Sequence, residues 1–275
     1  MSLFNFDELE LMTFFAVLVR FSVTFAVLPL IGDRFVPAPV KVLLALVVSV
    51  ALFPSLVLSK QVHPHDALKW GASAGGIAST IGAEVLYGLV LGFTAKMCFE
   101  AITFGGNLVG NFMGFGAAST YDPHQESQTQ IVAEIQMAIA MLIFLAIDGH
   151  HLMLRAALDS FKILGVGGAV IGHQAVLGAN LSAKILEISG DVIKFGIILA
   201  SPIAISLFAV NVAFGVMAKA LPNLNILVLS FAVSALVGLL VMLMSVPEFS
   251  TVTENILSRV GDWMDQVLLA IASGR

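Results

Sequence analysis

The feature that most constrains this chain is its succession of apolar runs, each about as long as a bilayer is thick. A hydrocarbon core of roughly 30 Å takes on the order of 20 helical residues to cross. Six segments fit that measure: Leu9–Ile31, Val40–Leu58, Ile77–Ala101, Ile131–Ile147, Ile188–Val216 and Leu224–Val246. In lipid the backbone polar groups must be satisfied within the segment itself, so runs of this length are expected to be helices. Pro37 and Pro39 close the first connection, and His63, Pro64, His65 and Asp66 mark the second as a polar turn. The expected fold is therefore an all-α membrane protein of about six long hydrophobic helices.

Composition excludes the main alternatives. Of 275 residues, 59% are hydrophobic and 11% charged, with a mean hydropathy of +1.00. That leaves too few polar side chains to coat a soluble globule of this size. The net charge is only -5 and the 13 Lys and Arg are scattered singly, so no basic patch exists to neutralise phosphates and nucleic acid is not an expected partner. The single Cys98 lies in an apolar run and reads as a small core hydrophobe. The first apolar run follows Asp7, Glu8 and Glu10 in place of a basic leader, so it is expected to be retained.

Loop charge does not orient the helices. Arg34 and Lys41 lie on one side of the second run, Lys60 and Lys69 on the other, and the bias cancels. The third run is also too long for one crossing, since Trp70 to Phe115 contains almost no soluble-looking linker. Residues 1–249 form one hydrophobic helical domain in this reading, and 250–275 a C-terminal amphipathic helix. In the latter, Val252, Ile256, Val260, Trp263, Val267 and Ile271 recur every three or four residues, with Glu254, Asp262 and Asp265 on other faces. A membrane-surface helix usually carries Lys or Arg on its polar face, whereas this one is acidic, which favours docking against protein.

Charges within the apolar runs are expensive. Arg20, Glu84, Lys96, Glu100 and Glu134 would each cost roughly 2.5 to 3.5 kcal/mol at a bilayer centre, so they are expected to be buried against protein or to face water. Two readings stay open: structural ion pairs inside a bundle, or the lining of a charged conduit. Gly88 and Gly92, and again Gly106, Gly110 and Gly114, recur every four residues. Such ladders leave smooth grooves for close helix packing. After Gly114 the density of Gly and Ala, with the turn at Tyr121, Asp122 and Pro123, breaks the helix. Irregular backbone at membrane depth is tolerated only when buried in protein or facing a water-filled cavity.

Four blocks, in this order, carry a family resemblance: LPLIGDRFVPAPVKVLLAL (Leu28–Leu46), MGFGAASTYDP (Met113–Pro123), FLAIDGHHLMLRAALDSF (Phe144–Phe161) and ALPNLN (Ala220–Asn225). The chain resembles the FliR-type subunit of the flagellar type III export gate over nearly its whole length, and the injectisome counterpart is a close relative. One departure stands at Pro222, Asn223, Leu224, Asn225, Ile226 and Leu227, where the family commonly has Pro-Gln, a hydrophobic residue and then Asn-Val-Phe. Asn223 keeps the amide and shortens its reach.

The resemblance implies a non-enzymatic gate without cofactor or metal, built of kinked helical hairpins, with Pro54, Pro202 and Pro222 as sources of the kinks. It implies partners: the two other small gate subunits (P and Q type), the B-type switch subunit, unfolded export substrates and membrane lipid. It implies a place in the bacterial inner membrane, at the flagellar basal body. It further implies that the segment from Gly105 to Thr120 helps to plug an axial channel. The plug residues on this reading are Gly105, Gly106, Gly110, Phe112, Met113, Gly114, Phe115 and Gly116, with Phe112, Met113 and Phe115 as the adaptable apolar seal. Two other classes fit less well. A secondary transporter would show matching interrupted halves, and the third run's glycine ladder has no such counterpart. An intramembrane enzyme or metal site would rest on Asp148, His150, His151 and Arg155. Adjacent histidines point about 100° apart on a helix, and no HExxH run occurs, so a polar helix boundary is the expectation.

Overall fold

The structure, a computed structural model, describes residues 7–29, 36–115, 130–167, 179–220 and 226–273. Their regular structure is helical: α1 (Glu8–Val27), α2 (Ala38–Leu58), a short 3-10 turn (Asp66–Lys69), α3 (Ala74–Phe112), α4 (Gln130–Ala146), α5 (Gly149–Leu164), α6 (Ala179–Ala220), α7 (Ile226–Met244), α8 (Val246–Ser258) and α9 (Val260–Ser273). Four helices, α1, α2, α3 and residues 180–220 of α6, are long and apolar enough to cross a membrane. The number is six if each of two broken pairs, 131–164 and 228–273, counts as one span. This is an all-α membrane protein.

Local chemistry sets the boundaries. Asp7 caps α1 by accepting the Glu8 N–H at 2.8 Å. Pro37 precedes α2 and Pro39 sits in its first turn, where the missing N–H has no helical partner to lose. Pro54 and Pro202 lie inside α2 and α6, each of which runs on as a single helix past its proline. Pro222 falls among residues 221–225, outside the described set. At 39 residues α3 is roughly 58 Å long, nearly twice a hydrocarbon core. The excess length expected of the third run is therefore a continuous helix.

The chain divides into two compact units. The first comprises 1–97, 149–188 and 259–275; the second comprises 98–148 and 189–258. In the first unit α1 packs on α2, and the polar turn after α2 folds back onto α1. There Asp66 accepts from the His63 N–H at 3.0 Å and from Lys69 Nζ at 2.7 Å, while the Ala67 N–H reaches Thr13 Oγ1 at 3.2 Å. Beneath it Ala16, Ala67 and Trp70 are buried with Leu9, Met12, Ile77 and Val166 around them.

Helices α5 and α9 also pack together in the first unit. α5 buries Met153, Ala156, Ala157, Ser160, Phe161 and Leu164, and α9 buries Val260, Trp263, Met264, Val267, Leu268 and Ile271. Both sets follow the three-and-four spacing of one helix face. The amphipathic C-terminal segment is thus present, but as two helices broken at Arg259, and α9 docks onto a helix of its own chain. In the second unit α4 packs on α8, and α7 meets α8.

Candidate functional site

Arg20 and Glu84 form the centre of the first unit. They are 1% and 0% exposed. Glu84, Gly88 and Gly92 lie four apart and so share one stripe of α3. A Cβ on Gly88 would fall 2.8 Å from the Arg20 carbonyl oxygen and from Val23 Cβ, and one on Gly92 would fall 2.7 Å from Val27 Cβ. No side chain fits at either position, so the backbone of α1 rests directly on that groove, and this register brings the Arg20 side chain to Glu84. The helix-packing role expected for Gly88 and Gly92 has its physical basis here.

The guanidinium makes four hydrogen bonds. Nε donates to Glu84 Oε2 at 2.5 Å and Nη2 to Glu84 Oε1 at 3.0 Å; Nη1 donates to Ser160 Oγ at 3.0 Å and Nη2 also to the Gly165 carbonyl at 2.6 Å. Glu84 Oε1 in turn accepts the Gly167 N–H at 2.8 Å, and Ser160 Oγ donates to the Ala157 carbonyl at 2.6 Å. The Phe161 ring lies 3.9 Å from Arg20 Cζ and the Tyr87 ring 5.0 Å, both within cation–π range. Taking two charges out of water costs several kcal/mol per ion, and only near-complete pairing of this kind offsets it. The turn that completes the site needs glycine, since Gly165 and Gly167 have φ of 64° and 66°, and a Cβ at 167 would meet Thr80 Cγ2 at 2.9 Å.

Four of the five guanidinium N–H donors are thus directed at protein acceptors in a fully buried site. It is a sealed clamp joining α1, α3, α5 and the turn that leaves α5, so the conduit-lining alternative does not hold for Arg20 and Glu84 within the chain. Lys96, Glu100 and Glu134 are not buried within the chain; all three are exposed, which leaves water or another protein as the surroundings expected for them. The reason is the helix face they occupy. Phe93, Lys96 and Glu100 are spaced three and four apart on the outer stripe of α3, whereas Ala95, Met97, Cys98 and Phe99 take the inner positions.

The end of α3 is the second candidate. Gly105, Gly106 and Gly110 are buried helical residues, so the irregular backbone starts only at Met113. A Cβ on Gly106 would lie 2.5 Å from Ala133 Cα, which puts α4 in direct contact with α3. A Cβ on Gly105 would lie 3.0 Å from the Gly196 carbonyl oxygen of α6. The three bulky residues differ sharply. Phe112 is 42% exposed, Met113 is 1% exposed, and Phe115 is half-buried. Met113 is therefore core, packed with Val109, Val132, Ala200, Ile203 and Leu207, while Phe112 is the side chain that projects. Gly114 adopts φ 88°, a left-handed turn that ends the helix. Gly116 and the segment up to Thr120 lie outside the described residues.

His150 and His151 are exposed at the start of α5, and one ligand atom from each and one from Asp148 lie within 4.8 Å of one another. Their rings lie closer than the 100° helical offset suggests, with centroids 4.2 Å apart. Asp148, just before them, has φ 55°.

Residues 11–260 match the family described as bacterial export proteins, family 1. The chain belongs to that family, as a FliR-type member. Among curated relatives of this export-family chain, the flagellar biosynthetic protein FliR of Escherichia coli (strain K12) is 27% identical over 256 residues, 93% of this chain and 92% of that one. The protein of the same name from Pectobacterium carotovorum subsp. carotovorum is 28% identical over 260 residues, 94% of each chain. That of Bacillus subtilis (strain 168) is 26% identical over 260 residues, 94% of this chain and 95% of that one. Sequence reasoning on this export-family chain missed Ser160, Gly165 and Gly167 as partners of the ion pair. The one available signal is the pair of glycines immediately after an amphipathic helix.

Proposed function

We propose that this chain is a core subunit of the flagellar type III export gate in the bacterial inner membrane, forming with two other small gate subunits the channel through which unfolded flagellar proteins leave. The observation that carries the reading is the family match over residues 11–260, joined by relatives that share the name flagellar biosynthetic protein FliR and align over nearly their full length. That shared name favours the flagellar system over the injectisome. The B-type switch subunit is a further partner in this proposal. Apolar side chains such as Leu58, Ile205 and Met244, between 70% and 82% exposed, leave wide greasy faces for lipid or sister subunits.

In the assembled gate the end of α3 narrows the channel. Phe112 supplies the exposed bulk, and Met113 with Phe115 roots it in the second unit. No step of covalent chemistry is involved; the chain works by packing and displacement. The test is co-expression with the two small gate subunits. Stable co-purification, with secretion of flagellar proteins restored in a strain lacking its own copy, is the expected result. A chain that stays a lone bundle and restores nothing defeats the proposal.

A further inference from the structure

The contacts of Met113 and Gly114 reach one face of α7. A Cβ on Gly238 would lie 2.5 Å from Met113 Cε and 2.7 Å from its Cγ, and a Cβ on Gly114 would lie 2.6 Å from Phe231 Cδ1. Each side therefore inserts a side chain where the other has none: Met113, just past the end of α3, fills the notch at Gly238, and Phe231 of α7 fills the notch at Gly114. Phe231 and Gly238 are seven residues apart, two helical turns, and so face the same way about 10 Å from each other along α7. Val237, Val241 and Met242 of α7 close around the same cluster. The opposite face of α7 is open, with Leu236, Leu240 and Leu243 between 52% and 71% exposed.

We infer that Gly238 and Phe231 are positioning residues for the α3 terminus, forming with Met113 and Gly114 a reciprocal latch through which α7 holds Phe112 in its narrowing position. The inference rests on the proposal that the end of α3 constricts the channel, and adds the element that controls it. Close-packed interiors do not stretch. A shift of α7 by the depth of one side chain must either draw Met113 along or empty its site, so withdrawal of α7 unseats the constriction.

Steric exchange tests this, read as ion leak through membranes carrying the assembled gate, with the amount of assembled complex measured alongside. Gly238→Ala pushes Met113 out and raises resting leak by about fivefold or more. Adding Met113→Ala to it vacates the space and brings leak back toward the wild-type value. A merely structural role moves the amount of complex and does not produce this rescue of leak. Wild-type leak in Gly238→Ala, or a double variant whose leak is the product of the two singles, overturns the latch.

A second arm separates the latch from the constriction it serves. In a Cys98→Ala background, Met113→Cys is shielded from a water-soluble maleimide while Gly238 is present, and labels roughly tenfold faster with Gly238→Val. Equal labelling rates overturn the latch whatever the leak. Replacing Phe112 and Phe115 with Ala leaves the latch residues in place. If that variant stays tight while the labelling difference holds, the latch stands and only the site of constriction is lost.

Discussion

Arg20 shows how one side chain fixes a local fold. Its charge is tolerable at 1% exposure because Glu84, Ser160 and the Gly165 carbonyl share its donors. Removing one member leaves the other charge buried and unpaired. Arg20→Ala or Glu84→Ala is expected to cost about 3 to 5 kcal/mol, measured as loss of stability to chemical unfolding in detergent. The double variant Arg20→Met with Glu84→Leu should cost less than either single, since no orphan charge remains. Equal or greater loss in the double would show that the pair is net stabilising beyond its own desolvation.

At the scale of elements, the helices are held by two kinds of contact, backbone on glycine and apolar stripe on apolar stripe. Gly106 is the first kind. Its virtual Cβ meets the Ala133 backbone, which cannot rotate away, so Gly106→Leu should separate α3 from α4 and abolish co-purification with the partner subunits. The α5–α9 pair is the second kind. Trp263, 3% exposed, anchors α9, and Trp263→Ala is expected to cost about 3 to 5 kcal/mol. Limited proteolysis should then cut within residues 260–273 well before the rest of the chain. The terminus of α3 combines both kinds. Met113→Ala empties a packed site and should cost about 2 to 5 kcal/mol, whereas Phe112→Ala removes an exposed ring and should leave stability within about 0.5 kcal/mol of wild type while raising ion leak. Equal stability loss in the two variants would contradict the assignment of Met113 to the core and Phe112 to the channel.

For the whole molecule, the governing fact is unspent apolar surface. Helices α2, α6 and α7 expose side chains such as Leu43, Ile197 and Leu239 at 60%, 53% and 45%, although each helix is largely apolar. In water such stripes would have to be covered, whereas in a membrane they can face lipid or another protein. Each helix keeps an apolar face outward, and in the proposed gate these faces and the cancelling loop charges belong to a chain whose surroundings are set by assembly as much as by insertion. Co-expression with the two small subunits should therefore raise the thermal midpoint in detergent and make it dependent on partner concentration. A midpoint indifferent to partners would argue that the chain is complete by itself.

Much of this is legible in the sequence. Run length gave the helices, because crossing a bilayer demands a fixed number of residues. Periodicity gave the inner face of the C-terminal segment, since Ile256, Val260, Trp263, Val267 and Ile271 are all buried. The glycine ladders marked faces of close approach. Only the tertiary structure chose the partners. A buried charge announces that it needs a counter-charge, yet nothing in the chain says that the partner of Arg20 stands 64 residues away, or that the turn completing the site lies 145 residues away. Nor does composition separate Lys96, Glu100 and Glu134 from Arg20 and Glu84, or Phe112 from Met113. Periodicity is a property of one helix, whereas exposure is decided by which helix lies against which face, and that depends on the register of elements far apart in the sequence.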